Sequence, residues 1–441
     1  MSTRTTVRWV AWHGLPRLAF RRDHRRGDLH ARLLLDPSGH VDPFSGYARV
    51  RERGQVVIGP RVCTTASHRT ASAILRNEDF GVGTDPEAIP SPFRVVVRRA
   101  MESGVAGPLT PPSLLAVNPP DHTRYRRLVA GAFAPRAMQL LRDRVEAIAG
   151  ELLDQLDGEV DLVERYASLL PVTVVAEILG VPREMREQFV AWGRVATRVL
   201  EFGLPFREYR RCERALRELN DWLRGHIATR RREPGADLLS RLVRGSGDSA
   251  LTERDLIATC SLLLLGGFET TVNLLSTGIA LLLRHPDQLA TLVADPTGWP
   301  NAVEEILRFE SPAQYTTRRA RRDTEVAGLP VARGTFALVL IGGANRDPAV
   351  FAEPDRFDVG RANARDHLAF SAGAHYCLGA GLARIEGEVG LRRLFERFPD
   401  LTLAGLPRRR PTRTLRGYDV LPVALGRPPS NGLRQRREGP A

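Results

Sequence analysis

The residues best suited to chemistry lie in one short stretch, Phe370-Ser-Ala-Gly-Ala-His-Tyr-Cys377-Leu-Gly379. A cysteine bracketed by glycines stands just ahead of residues 380–395, a run that can be helical. A thiolate there would sit near helix amide donors and the positive end of the helix dipole, which lower its pKa. The glycines let the backbone pass close to something large and flat. A lone cysteine is more often a small buried hydrophobe, and Cys63, Cys212 and Cys260 are read that way. A second stretch, Gly266-Gly-Phe-Glu269-Thr270-Thr271, places Gly266 and Thr270 four residues apart, on one helix face. The Thr270 hydroxyl can bond back to the Gly266 carbonyl and bend the helix. Glu269 lies one position away, about 100° round the helix, and could relay protons from outside a pocket. The same residues alone also describe a helix kink lined by small side chains.

These groups need elements to hold them. Periodicity from about 122 to 310 is helical, with helices predicted at 122–130, 136–157, 161–179, 183–199, 206–232, 235–243 and 252–284. In 256–283 the only charge is Glu269, so length alone permits a membrane span. Gly266, Gly267, Glu269, Thr270, Thr271 and Asn273 cluster at its middle, where lipid would penalise them. Thr252 followed by Asp255 gives a soluble-type start, and His285-Pro286 a stop. A buried central helix is therefore predicted, with no transmembrane segment. Strands are predicted at 324–327 and 335–341, with turns at Gly328 and Gly334, and 400–424 reads as strand-like. Residues 50–80 mix a short β-like run at 55–58 with a helix-like run ending near Arg76, and 81–117 reads as a long loop. Residues 1–30 form a basic lead-in, either a short helix packed on the body or a helix making weak contact with a membrane surface. The main domain is set at 31–425, and 426–441 is read as a basic tail.

The chain has 441 residues and no lysine, so all 64 basic side chains are arginines. That excludes a P-loop lysine, a kinase lysine, a Schiff base and a Ser-x-x-Lys acyl enzyme, because guanidinium does not lose its proton. No H-E-x-x-H, G-x-S-x-G or G-x-G-x-x-G helix opening occurs, so electrons for any redox step must come from outside. The net charge is +13, and its partition matters. Residues 1–32 carry eight Arg and two Asp, and 401–441 nine Arg, one Asp and one Glu, while 33–400 balance at 47 of each sign. No nucleic-acid module fills the neutral middle, and none is predicted to bind. The terminal surplus is expected to assist docking of an acidic ferredoxin, or to touch a membrane surface. Cysteine spacings of 149, 48 and 117 residues give no zinc pattern and suit a reducing, cytoplasmic setting. Residues 7–20 do not read as a signal peptide.

Phe370, Gly373, His375, Cys377 and Gly379 together resemble the haem-thiolate loop of the cytochrome P450 superfamily. One departure is Ser371, a turn position where many members have glycine. Four further stretches resemble the family in the same order, and the likeness covers about residues 30 to 425. They are Gly266 to Thr271, Glu305-Ile-Leu-Arg308, His122-Thr-Arg-Tyr-Arg126 and Thr317-Arg318. Asn345 to Pro348 and His367 to Phe370 resemble bacterial members, and the whole is similar to soluble actinobacterial types, including a mycobacterial family of unassigned substrate.

The resemblance implies a mainly α fold with a smaller β region, one large domain with its long helix over haem b. It implies Cys377 as axial thiolate to the iron, and Gly266 as the space for a diatomic ligand. Thr270 with Glu269 would deliver protons. His122, Arg126, Arg318 and His375 would hold the propionates, with Arg319 adjoining Arg318 as a competitor. Glu305 and Arg308 would pair with Arg356 to support the cysteine loop. The implied reaction takes an apolar substrate, O2, two electrons and two protons to an oxygenated product and water. The electrons pass from NAD(P)H through an external reductase and ferredoxin. Substrate contacts are expected from 81–117, Phe268, Thr271 and the neighbourhood of Gln314 and Tyr315. Alternatives are a thiolate-haem peroxygenase, which lacks the acid–alcohol pair, and a non-catalytic haem sensor or carrier.

Overall fold

Apolar stripes at helical spacing produce sixteen α-helices among the described residues, which are 3–59, 62–83, 95, 105–245 and 251–426 of a computed structural model. Helices α1 (Thr3–Trp9) and α2 (Leu15–Arg25) flank a π-turn, and α3 (Leu29–Leu35), α4 (Phe44–Glu52) and α5 (His68–Arg76) follow. The main bundle holds α6 (Asp121–Ala130), α7 (Pro135–Leu153), α8 (Leu169–Ile178), α9 (Arg186–Ala196), α10 (Phe206–Arg232), α11 (Leu238–Val243), α12 (Glu253–Arg284), α13 (Pro286–Ala294) and α14 (Trp299–Phe309). The short α15 (Ile341–Ala344) and the long α16 (Ala380–Arg397) complete the set.

The central helix α12 starts where the sequence says it should. Asp255 N donates to the Thr252 hydroxyl at 3.2 Å while Thr252 N donates to Asp255 Oδ2 at 2.9 Å. That reciprocal cap satisfies helix-start amides that would otherwise lack partners. Its 32 residues make α12 the one described helix long and apolar enough to cross a membrane, and 72% of its apolar window is buried inside the protein. It packs against α8, α10, α14 and α16, with Val272, Leu274, Leu275, Ile279 and Ala280 in the main core. Gly193 on α9 admits the Phe268 ring, since a Cβ there would lie 2.1 Å from Phe268 Cε1.

Predicted helix limits shift where side chains capture the backbone. The 161–179 prediction breaks up because Glu159–Asp161 is a strand, and Asp161 Oδ1 accepts from Val163 N and Leu421 N at 2.9 Å each. The 235–243 helix starts only at Leu238, since Asp237 caps it by accepting from Ser240 N at 2.8 Å. Helix 183–199 divides into a 3-10 turn, α9 and a second 3-10 turn.

The β region is built from short pieces. A five-stranded sheet runs β1 (Val57–Ile58), β2 (Val62–Thr65), β8 (Phe336–Val339), β5 (Thr316–Ala320), β3 (Phe80–Gly81), with β2 and β8 parallel. A hairpin joins β6 (Thr324–Val326) to β7 (Leu329–Val331), turning at Gly328 with φ +78°. In the second sheet β12 (Pro422–Ala424) lies between β4 (Glu159–Asp161) and β9 (Thr402–Leu403), and β10 (Arg408–Arg409) pairs β11 (Tyr418–Val420). Leu368 and Ala372 pack in the sheet's own core, whereas Phe370, Ala380 and Leu382 belong to the helical core. The cysteine loop thus bridges the two cores. Residues 84–94 and 96–104 of the predicted loop, and 427–441 of the predicted tail, lie outside the described residues.

Candidate active site

Three turns shape the cysteine loop. Cys377 N donates to Phe370 O at 2.9 Å, Tyr376 N to Gly373 O at 3.0 Å, and Ser371 N to Leu368 O at 2.8 Å. Gly373 is required: its φ is +69°, and a Cβ would stand 2.5 Å from Leu75 O. Ser371 also has positive φ, +62°, a conformation that costs a residue with a Cβ about 1–2 kcal/mol. Its hydroxyl accepts from Arg318 at 3.3 Å, which glycine could not do.

The four cysteines divide sharply. Cys63, Cys212 and Cys260 are buried, and burial pushes the first two to about 11 and the third to about 12. Cys377 alone is exposed. Its surface is uncovered, yet the chain surrounds it closely. Desolvation therefore raises its pKa, against the lowering pull of the Gly379 N–H, Arg126 and Arg384. This corrects the expectation of a thiol made acidic by the helix start: the donors are present, but without a further positive charge burial wins. A Cβ on Gly379 would meet nothing within 4 Å, so the backbone beside the thiol is open.

Four basic groups gather at His375 of the cysteine loop. The His122 and His375 rings stand 4.2 Å apart. Burial, then Arg318, His122 and Arg126, push His375 down to about 3. Burial and Arg126 lower His122, and burial brings Arg318 to about 10. Arg318, not Arg319, is the inward residue of the pair. It is buried, while Arg319 is half-buried with its guanidinium over the Phe336 ring at 5.0 Å. No carboxylate pairs with any of the four among the described residues, so the cluster calls for an anionic partner. No cluster of three or more His, Cys, Asp or Glu able to hold a metal occurs among the described residues. A metal joined to Cys377 must therefore bring most of its ligands with it. A flat metal-bearing group with anionic arms fits this donor set.

On α12, Thr270 donates to Gly266 O at 2.9 Å, as its spacing predicts, and Gly266 is exposed. The helix runs on unbroken from Glu253 to Arg284. Glu269 is buried and forms an ion pair with Arg410, while its Oε2 has no partner among the described residues. Phe268 and Thr271 are buried in the described structure. Phe268 is buried against Gly193, and Thr271 donates to Gly267 O at 3.1 Å beside Glu386. Both lie off the Gly266–Thr270 face, as a 100° step per residue demands. Gln314 and Tyr315 are turned into the body, where Gln314 donates to Ser311 O at 2.7 Å and Tyr315 accepts from Thr414 at 2.7 Å.

The sequence pattern of the Cytochrome P450 family matches residues 195–295 and 300–412. Cytochrome P450 140 of Mycobacterium tuberculosis is 48% identical over 427 residues, 95% of this chain and 97% of its own. This chain belongs to the cytochrome P450 family. Further relatives of this P450 include the 6-deoxyerythronolide B hydroxylase of Saccharopolyspora erythraea, 40% identical over 89% of this chain and 98% of its own. Among solved structures, P450BioI in complex with acyl carrier protein carrying hexadec-9Z-enoic acid matches at TM-score 0.79 and 33% identity, covering 88% of this chain and all of that one. Ligand-free CYP164A2 of Mycobacterium smegmatis matches at 0.78 and 37%, covering 90% and 99%. The fold is therefore the P450 fold, and the family implies haem with an axial cysteine, O2 and a redox partner.

One predicted support residue of this P450 is displaced. Glu305 and Arg308 are fully buried and bonded at 2.6 and 2.8 Å. The third partner is Arg361, 3.2 Å from Glu305, and not Arg356. The Arg356 guanidinium is 60% exposed beside Glu353; its backbone carbonyl is what Arg308 and Arg361 donate to, at 3.1 and 3.0 Å. The turn between 353 and 361 points one arginine outward and the next inward, which spacing could not reveal. Other residues went unforeseen. Glu304 holds His367 at 3.0 Å and Arg384 at 2.8 Å, and Arg384 donates to Tyr376 at 3.2 Å, next to the thiolate position. Among the described residues of the basic C-terminal stretch, four arginines pair with carboxylates. Arg409 and Arg416 pair with buried Glu310, Arg410 with Glu269, and Arg408 with Asp419. Arg409, Arg410 and Arg416 are thus committed to buried carboxylates, while Arg408 stays exposed at the surface.

Proposed function

We infer that this P450 inserts one oxygen atom of O2 into an apolar substrate, with Cys377 as the residue whose thiolate would hold the haem iron and an external ferredoxin and reductase passing electrons from NAD(P)H. Bound haem would supply O2 binding and O–O cleavage, which a thiolate ligand favours. The observation that carries the assignment is an exposed thiol on a loop whose His375 sits among three further basic groups, none of the four paired with a carboxylate among the described residues. His122, Arg126, Arg318 and His375 would pair with the two propionates, and Gly373 and Phe370 hold the loop at close approach. Glu305, Arg308 and Arg361 keep the segment before the loop in place.

The protein's catalytic part is proton handling. The Gly266 carbonyl orients the Thr270 hydroxyl, which can hold a water or pass a proton at Oγ1. Glu269 stands behind it as a second proton carrier, held by Arg410 until that pair loosens. This acid–alcohol pair favours the O2-dependent reading over a peroxygenase or a haem carrier. A substrate of polyketide or acyl-chain size is supported by a polyketide-biosynthesis relative and by the acyl-carrier complex. The test is Cys377→Ala in haem-loaded protein. Loss of the red-shifted Soret band of the ferrous carbon monoxide complex is expected, and an unchanged band would overturn the ligand assignment. Turnover with a ferredoxin system against turnover with hydrogen peroxide separates monooxygenase from peroxygenase.

A further inference from the structure

Helix α2 is turned the wrong way for an ordinary surface helix. A soluble helix hides its leucines and shows its arginines. Here the inward side of the α1–α2 segment carries polar and aromatic groups. Arg8 is buried in an ion pair with Glu213, and Thr5 donates to the same carboxylate at 2.7 Å. Trp9 Nε1 donates to Leu204 O at 2.8 Å, and Leu204 N donates to His13 Nδ1 at 3.2 Å. Phe20 meets Phe202 edge-on with ring centroids 4.8 Å apart. These contacts fix which side faces out. On that side stand Leu15 and Leu18, 60% and 62% exposed, then Arg22 and Arg25. The four sit at i, i+3, i+7 and i+10, one continuous stripe, with exposed Arg21 and Arg26 on its flanks. None of those four arginines pairs with a carboxylate among the described residues.

We propose that the outer face of α2 is a docking surface for an anionic lipid headgroup layer, with Leu15 and Leu18 dipping into the acyl boundary and Arg21, Arg22, Arg25 and Arg26 on lipid phosphates. The chemistry selects the partner. Two adjacent leucines give an apolar foot too small for a stable protein interface, yet suited to an interfacial helix. Arginine reaches phosphate bidentately while its stem stays in the apolar layer. A second copy of this chain is disfavoured, since its four arginines would meet these four. The helix is held in place because α1 before it is tied to Leu204 and Glu213 and Phe20 on its own inner side meets Phe202. The proposal rests on the described helix and not on haem chemistry, so it stands or falls separately from the assigned reaction.

The experiment floats the full-length holoprotein with phosphatidylglycerol vesicles and with phosphatidylcholine vesicles at low and high salt. Co-flotation with the anionic vesicles is expected, weakened by salt. Leu15→Asp with Leu18→Asp should lose at least about tenfold in partition. Neutralising the four arginines to Gln should abolish the preference for anionic over neutral vesicles. Both variants alter exposed side chains, and an unchanged circular dichroism melt confirms that each is folded. No flotation of the wild type at low salt would overturn the proposal. So would a double Asp variant that floats like the wild type. Sedimentation showing a dimer that the Asp variant breaks would assign the face to a second copy instead. A slower reduction by ferredoxin in that variant, with lipid partition unchanged, would assign it to an acidic protein.

Discussion

Glu305 on α14 and Glu269 on α12 are both buried carboxylates facing arginine, and they are finished differently. Glu305 bonds Arg308 at 2.6 and 2.8 Å, Arg361 at 3.2 Å and the Asp358 N–H at 2.9 Å. Glu269 has Arg410 on one oxygen and no described partner on the other. A buried charge with all of its acceptor sites used is a strut, because moving it would break several bonds at once. A buried charge with a free oxygen keeps room for a water or a proton. The difference separates the side of the protein that holds the cysteine loop from the side proposed to feed it protons.

The largest expected effect comes from breaking the strut. Arg308→Leu leaves Glu305 buried and underpaired, so about 3–5 kcal/mol of stability should be lost. Urea denaturation should show it as a lower midpoint, and haem retention should fall with it. Glu269→Gln should cost less stability, because the amide oxygen still accepts from buried Arg410, but product formation should slow on the order of 10²-fold. Equal slowing and equal destabilisation in both variants would erase the distinction between the two carboxylates. Thr270→Ala should consume reductant at a similar rate while diverting it to hydrogen peroxide, read as product per reductant oxidised.

Glu304 gives the comparison a pH axis. Although burial acts to raise its pKa, His367 and Arg384 more than offset it and hold Glu304 at about 2, against an ordinary 4.5. A depressed carboxylate contributes stability that is complete above its unfolded pKa and lost as pH falls through its folded one. The wild type should therefore lose stability between pH 4.5 and about 2, and Glu304→Gln should flatten that part of the thermal-melt profile. Glu386 has the opposite sign. Burial pushes it up to about 8, so its burial costs stability as pH rises from 4.5 toward 8. Glu386→Gln should raise the melting temperature at pH 8 and hardly change it at pH 4.5. The smallest effect belongs to Arg356→Ala, within about 0.5 kcal/mol for an exposed side chain. A loss comparable with that of Arg361→Ala would restore Arg356 to the support site.

Much of this protein could be read directly. The Thr252–Asp255 cap, the apolar run to Arg284 and the Gly266–Thr270 spacing are local patterns, and local hydrogen bonding realises them. The cysteine loop is likewise a contiguous string whose glycines answer backbone needs, as Gly373 against Leu75 shows. Tertiary structure decided what local pattern could not. It chose Arg361 over Arg356, Arg318 over Arg319, and Arg410 out of a run of three as the partner of Glu269. It also turned Phe268 into the core and two leucines of α2 to the outside. The physical reason is common to all of these. Among 64 chemically identical arginines, sequence carries no label for which is desolvated; only the packing of distant elements removes water from one and leaves it on its neighbour.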